Sequence, residues 1–499
     1  MAAPDPVADV IVVGGGSSGC VVASRLSANP DRTVLLIEAG VGSGGPGPLG
    51  LLPIGPGSDI VSRYPVELRP GRQATIARGR VLGGSGAVNG GYFIRGTPSD
   101  FASWPVAWSY SEVLPYFRKL ETDLSGDRRW HGVDGPMPVT RIGRDRMHPV
   151  SAAFLEACAT EGFGYSADLN DPNAEGAGPV PLNASAGRRI STASAYLEPI
   201  LDRPNLLVRT GVVARRVEFD GVRAVGVEAE IAGVRRLLRA RQVVLCGGAI
   251  GTAHLLMHSG IGSAQHLSDL GLPVIADRPG VGRDFGDHPE VTLEYRPHRG
   301  VPRDPHTAVL EAVLEADGIE IRPYTAPFSE IIPGADDTAA RVGVALMRPD
   351  SRGQLTLRSS DPRDPPVVRY RYLASAADRA AMRAGLDLAR GLLASAAFGR
   401  VAEVADGARS SIGTFENLGT SLHLSGTCRM GSESDHGAVV DERCRVIGVD
   451  AVTVADTSVM PAVTSRGPHA TAVMIAERVS ALIDGDTGPA RGAPGSGGV

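Results

Sequence analysis

The chain opens on a pattern that leaves few ways to fold. Val10 to Val13 is an unbroken β-branched run, followed at once by Gly14-Gly15-Gly16-Ser17-Ser18-Gly19. Small apolar residues then run from Cys20 to Leu26, and a second apolar run, Val34 to Ile37, ends in Glu38. Short apolar runs without polar alternation belong to strands buried on both faces, as in a parallel sheet covered by helices. The pattern therefore predicts a βαβ unit. Gly14 allows the tight turn, Gly16 lets the backbone approach a pyrophosphate, and Gly19 lets helix meet strand. The helix N-terminus, with Ser17 and Ser18 in the turn that leads into it, offers unpaired N–H groups and partial positive charge to phosphates. Glu38 is placed to accept hydrogen bonds from a ribose diol. The context makes this a dinucleotide site, with NAD and FAD both open.

Composition narrows the class. The 499 residues carry 50 Lys+Arg against 55 Asp+Glu, a net charge of −5, which argues against a nucleic-acid partner. With 42% hydrophobic residues the chain has enough apolar material for two or three domains. Its 64 Gly and 37 Pro stay below the level of a low-complexity chain. The cysteines, Cys20, Cys158, Cys246, Cys428 and Cys444, are scattered and never form a CxxC pair. Neither a disulfide scaffold nor a metal site is expected, and a reducing compartment fits. Met1 to Asp9 has no signal-peptide character. The longest stretch without Asp, Glu, Lys or Arg, Gln242 to Ser268, holds three histidines and many glycines, so it reads as buried core and not as a membrane span. The expected location is cytoplasmic, with peripheral membrane association as an option.

Further along, Gly40 to Arg78 is rich in Gly and Pro without a period and reads as loop. Trp108–Leu120 and Ala152–Glu161 read as helices, and Leu206–Val208, Val212–Phe219, Ala224–Ile231 and Val243–Leu245 as strands. Alternation at Val342, Val344 and Leu346, and again at Leu355 and Leu357, predicts a hairpin around Pro349–Gly353. Ser375 and Asp378 form a helix start before Met382, Leu386, Ala389 and Leu393 on one face. The buried style returns in Val452–Ala455 and a helix from His469 to Ile483.

Four more blocks carry a resemblance. Arg78–Gly96 (RGRVLGGSGAVNGGYFIRG) resembles the first signature of the glucose–methanol–choline (GMC) flavoprotein oxidoreductases, and Gly248–Gly262 (GAIGTAHLLMHSGIG) the second, with Ala253 where Pro or Ser is usual. Pro279–His288 (PGVGRDFGDH) and His423–Gly431 (HLSGTCRMG) are similar to two further family blocks, all in family order from Asp9 to Ile483. The resemblance implies an α/β fold: a Rossmann-like FAD-binding domain in discontinuous segments (1–134, 196–292 and 421–486) and an α+β substrate domain on an antiparallel sheet (135–195 and 293–420). Residues 487–499 are expected to be a disordered tail.

The implied reaction is two-electron oxidation of an alcohol, with hydride passing from the carbinol carbon to flavin N5. By motif position His423 is the base that takes the hydroxyl proton, and His469 in Gly467-Pro468-His469-Ala470-Thr471 is its partner. An imidazole titrating near working pH suits the first task, and a second polar group holds the charge developing on the alcohol oxygen. The helix start at His469 and Ala470 faces the flavin end that gains charge. The resemblance also assigns Arg80, Gly84, Asn89 and Gly91 to the flavin or pyrophosphate, Val213 to backbone pairing with adenine, and Asp456 to the phosphate–ribitol region. Members with covalent FAD place His where this chain has Val88, so FAD is expected to be non-covalent. His131 reads as structural, and His254, His258, His266, His298, His306 and His436 as packing or surface.

The short stretch after Glu38, the segment Pro53–Ser58 and the compact chain resemble the mycofactocin-associated branch of GMC dehydrogenases. That branch implies reduced mycofactocin as donor and a quinone or respiratory-chain acceptor. The alternatives are a GMC dehydrogenase or oxidase of choline or of an aryl or aliphatic alcohol, and a flavin-binding protein without turnover.

Overall fold

A computed structural model describes residues 7–298, 306–404 and 415–486, so the tail at 487–499 lies outside the described residues. The opening folds as strand β1 (Ala8–Val13), helix α1 (Ser17–Leu26) and strand β2 (Val34–Glu38). β1 and β2 pair in parallel from Val10↔Val34 to Val13↔Ile37. Leu206–Thr210 extends the sheet beyond β2, while the end of Val234–Leu245 and then Val452–Val454 extend it on the other side, all in parallel. β2 is buried at every position, which is why its sequence shows no alternation.

The strand read as Val243–Leu245 is much longer. Its first half, from Val234, pairs antiparallel with Arg223–Ile231, which pairs with Val212–Asp220. Helix α1 leans on the C-terminal helix His469–Asp486: the Ser18 hydroxyl donates to the Ala472 carbonyl, and Arg25 forms an ion pair with the fully buried Glu477.

A second seven-stranded sheet is antiparallel. It runs through Gly176–Pro179, Ala312–Ala316, Ile319–Pro323, Ala340–Leu346 and Pro289–Pro297, and both Ala402–Val404 and Leu418–Thr420 pair with the last of these. The helix Ala376–Ala394 starts where expected, with the Ser375 hydroxyl accepting from Asp378 N, and buries Met382, Leu386, Ala389 and Leu393.

Two expectations fail. The loop reading of Gly40–Arg78 misses a hairpin, Val61–Arg69 with Arg72–Gly79, closed by Pro70-Gly71 with Gly71 at φ +79°. The alternation of Tyr64, Val66 and Leu68 was the signal, hidden by Pro65 and by charged residues on the open face. The hairpin predicted around Pro349–Gly353 does not form. Ala340–Leu346 stays in the antiparallel sheet, whereas Gly353–Thr356 pairs with Arg283–Phe285 and Val367–Arg369. Alternation reports a buried face, not a partner. Those strands and the missed hairpin make a five-stranded sheet, which joins stretches expected in both domains.

The described cysteines are all buried and free. Among the described residues no helix is long and apolar enough to cross a membrane.

His131 is locked in an ion cluster. Its Nδ1 lies 2.7 Å from Glu121 and 3.1 Å from Asp123, and its Nε2 lies 2.8 Å from Asp168. Glu121, Asp123 and His131 bring three possible metal-ligand atoms within 4.8 Å of one another. Arg95 on Glu121, and Arg141 on Asp123 and Asp168, already supply the positive charge. Burial alone would lower the His131 pKa, but Asp123, Asp168 and Glu121 raise it to about 10. A raised histidine pKa gives stability that is complete below about pH 6.5 and fades as pH climbs through 10. His131→Gln is therefore expected to cost about 3–5 kcal/mol of unfolding free energy at pH 6. Urea unfolding should show a smaller difference at pH 9, and a pH-independent difference would contradict the charged cluster.

Candidate active site

One cavity of about 1340 Å³ joins the Gly-rich opening to the two motif histidines. Its phosphate end is built by close backbone approach. Gly14 sits at φ +100°, where a Cβ would lie 2.6 Å from the Cys246 carbonyl oxygen, and a Cβ on Gly19 would lie 1.8 Å from that of Gly14. Gly19 thus seats α1 on β1 and does not itself line the cavity. A Cβ on Gly16 would meet only Gly84 Cα at 3.8 Å, and Gly248 and Gly251 have open space at that position. Helix α1 has no side-chain cap and no acid in its first turn, so its first N–H groups are left for an anion.

Glu38 accepts from Gly15 N and Gly40 N, both at 2.8 Å, and burial raises its pKa against the pull of those donors. Each oxygen keeps a further acceptor site for a ribose hydroxyl. Asp456 also lines the cavity, but its carboxylate accepts from Gly248 N, the Thr252 hydroxyl and Ser458 N. It holds the start of the helix Gly248–His258 in place. Ser17 donates to the Gly83 carbonyl, and Ser18 turns toward the C-terminal helix. Arg80, exposed at the rim, donates to the Ala39 carbonyl. Gly84 and Val213 line the wall, whereas Gly91 and the fully buried Ala470 stand behind it.

At the other end, His469 opens the C-terminal helix, edge-on to Phe93 with ring centroids 5.1 Å apart. Its Nδ1 is 3.2 Å from the Asn89 amide nitrogen, whose Oδ1 accepts from Gly91 N, while its buried Nε2 has no partner. Burial, with Arg189 nearby, lowers the His469 pKa to about 4.

His423 follows Leu422, a non-glycine residue at φ +64°. Such a strained turn persists only where its surroundings fix it. Here Leu422 N donates to the Thr420 hydroxyl, Arg78 donates to the Leu422 carbonyl, and His423 N donates to Asp287 at 2.8 Å. Asp287 also accepts from His288 N, and burial pushes its pKa up to about 6.

The residue missed in the sequence is His288. Its Nδ1 lies 2.8 Å from the Nδ1 of His423, with the rings edge to face. One of these nitrogens must carry the hydrogen and the other accept it. Burial, then His288, Arg322 and Arg78, hold the His423 pKa well below its usual value, and burial takes His288 to about 3. Both rings are therefore neutral at neutral pH. His288 stood inside the Pro279–His288 block, the only sequence signal that marked it.

The GMC oxidoreductase N-terminal family model matches residues 8–290 and the C-terminal one residues 349–476. The chain belongs to the GMC oxidoreductases. It is 50% identical to a GMC-type oxidoreductase of Rhodococcus erythropolis, covering 96% of this chain and 99% of that one. It is 35% identical to the oxygen-dependent choline dehydrogenase of Brucella suis biovar 1, covering 97% of each. Among solved structures, pyridoxine 4-oxidase from Mesorbium loti superposes with a TM-score of 0.88 at 30% identity, over 96% of this chain and 99% of that one. As a GMC oxidoreductase the protein is an FAD-dependent enzyme acting on CH–OH groups. The cradle at Gly14–Gly19, the open glycines and the unpartnered His469 Nε2 fit such a group.

Val88 lines the cavity just before Asn89, where a histidine would be needed for the covalent link. Acid precipitation of this GMC oxidoreductase is therefore expected to release all the flavin into the supernatant. Yellow colour kept by the washed pellet would contradict it.

Proposed function

We propose that His423 is the base of this enzyme, that His469 is the polar partner for the alcohol oxygen, and that the donor is reduced mycofactocin. The observation that carries the assignment of the base is the pairing of His423 Nδ1 with His288. When His423 donates that hydrogen, its Nε2 keeps a lone pair for the donor hydroxyl. Bound FAD supplies the two-electron acceptor for the carbinol hydrogen. His423 takes the hydroxyl proton as charge builds on oxygen. His469 orients the oxygen and shares that charge in a site shielded from water, where such contacts count for most. Glu38, the α1 start and the backbone near Val213 hold the dinucleotide.

Residues 1–134, 196–292 and 421–486 form the FAD-binding part in this reading, and 135–195 with 293–420 the donor part. The short stretch between Glu38 and the hairpin at Val61 supports a bulky donor and a quinone or respiratory-chain acceptor met at the cytoplasmic membrane face. A second reading, a small alcohol as donor, is favoured by the relatives named for choline and pyridoxine.

Anaerobic flavin reduction across reduced mycofactocin, ethanol, choline and benzyl alcohol separates the two. Reduced mycofactocin is expected to bleach the flavin fastest, with artificial acceptors outpacing oxygen. A faster small alcohol with rapid stoichiometric peroxide formation in air would overturn the mycofactocin reading.

A further inference from the structure

Five carboxylates line the cavity among the described residues. Glu38 and Asp456 hold backbone N–H groups of the Gly-rich turns, and Asp364 accepts from Ser359. The remaining two, Glu290 and Asp337, stand at the donor end, and each is matched by an arginine.

Glu290 Oε2 accepts from Arg322 Nη1 at 2.6 Å and from the Ser421 hydroxyl at 2.9 Å, and Oε1 accepts from the Tyr324 hydroxyl at 2.9 Å. Ser421 is two residues before His423, so this carboxylate is tied to the segment that carries the base. Arg322 is buried, and its Nε also pairs with Glu320, whose other oxygen accepts from Tyr92. Asp337 pairs with Arg341 at 2.7 Å. Arg63 and Arg72 line the same space, donate to backbone carbonyls and form no ion pair among the described residues. Beside these charges lies an apolar wall of Leu52, Val309, Phe328 and Ile332.

We infer that the donor pocket takes an uncharged alcohol with an apolar body and turns away quaternary ammonium alcohols, because both Glu290 oxygens are already held by Arg322, Ser421 and Tyr324 while the guanidinium groups of Arg63 and Arg72 line the same space. A buried cation needs a carboxylate or ring face free to receive it. Here it would meet a carboxylate whose oxygens are already held by three donors, with guanidinium groups lining the same space. The inference rests on the alcohol-oxidation reading above, and it restricts the donor to one chemical class.

The test uses two probes of nearly one shape, choline and 3,3-dimethylbutan-1-ol, which differ by a carbon in place of the charged nitrogen. Each is titrated anaerobically into the FAD-loaded enzyme. Affinity is read from the shift of the flavin spectrum, and oxidation separately from bleaching. The neutral alcohol is expected to bind at least about tenfold more tightly. Arg322→Met, which frees the Glu290 charge, should move the preference at least about tenfold toward choline. Should that variant fail to fold, Glu290→Gln serves, and it should weaken choline further while sparing the neutral alcohol. Choline binding as well as its isostere, or no preference of any kind, overturns the inference. A neutral preference in binding with no bleaching by any alcohol would instead fault the oxidation reading.

Discussion

His423→Ala is expected to slow anaerobic flavin reduction by roughly 10²–10⁴-fold, the usual contribution of a general base. FAD content should stay near that of the wild type. The lost side chain faces the donor end, while Glu38 and the α1 start are untouched. His423→Asn should stay crippled, because an amide cannot take a proton at neutral pH. At His469 the pattern reverses. An amide can orient an oxygen and share its charge, so His469→Asn should keep far more activity than His469→Ala. A histidine base works only when neutral, and burial with neighbouring positive groups holds the His423 pKa well below its usual value. The reduction rate should therefore be flat from pH 8 down to about 6.5 and fall only below that. An Asn tolerated at His423 and fatal at His469 would reverse the two roles.

The second large effect is expected at His288, which in the proposed site acts through its contact with His423. Without an acceptor for its Nδ1 hydrogen, His423 is free to change tautomer or rotate, and displacement of that order costs roughly 10²-fold in rate. His288→Ala is thus expected to reduce flavin about a hundredfold more slowly with little change in KM. Its removal also eases the burial of His423 and takes away a neighbour that helps hold its pKa down. The acid limb of the rate profile should move to higher pH. His288→Asn places an amide oxygen where Nδ1 stood and should recover part of the rate. A merely structural residue would lower stability without moving the pH limb or being rescued by the amide, and that outcome would remove His288 from the site.

What the sequence made legible follows how local the information was. The opening βαβ unit needed only about thirty consecutive residues, because Gly14, Gly16, Gly19 and two unalternating strands state their geometry where they stand. His423 and His469 were legible through the blocks around them. The hairpin at Val61–Gly79 was missed because its buried alternation is interrupted by Pro65, and one of its neighbours, Val367–Arg369, lies some three hundred residues away. The false hairpin around Pro349–Gly353 is the same failure from the other side, a sound alternation given a neighbour that tertiary pairing did not choose. His288 and His423 are 135 residues apart, and Arg322 and Glu290 are 32 apart on different strands. No period or spacing could bring those pairs together before the antiparallel sheet had formed.

Oxidation at the carbinol carbon with His423 as base is tested most directly by single-turnover flavin reduction. The fastest donor of the anaerobic panel is supplied at saturation in two forms, with hydrogen or with deuterium on the carbinol carbon. Wild type and His423→Ala are run side by side. The predicted result is flavin bleaching that is slower with the deuterated donor, and slower again by orders of magnitude in His423→Ala. Bleaching indifferent to that deuterium, together with an alanine variant as fast as the wild type, would contradict it.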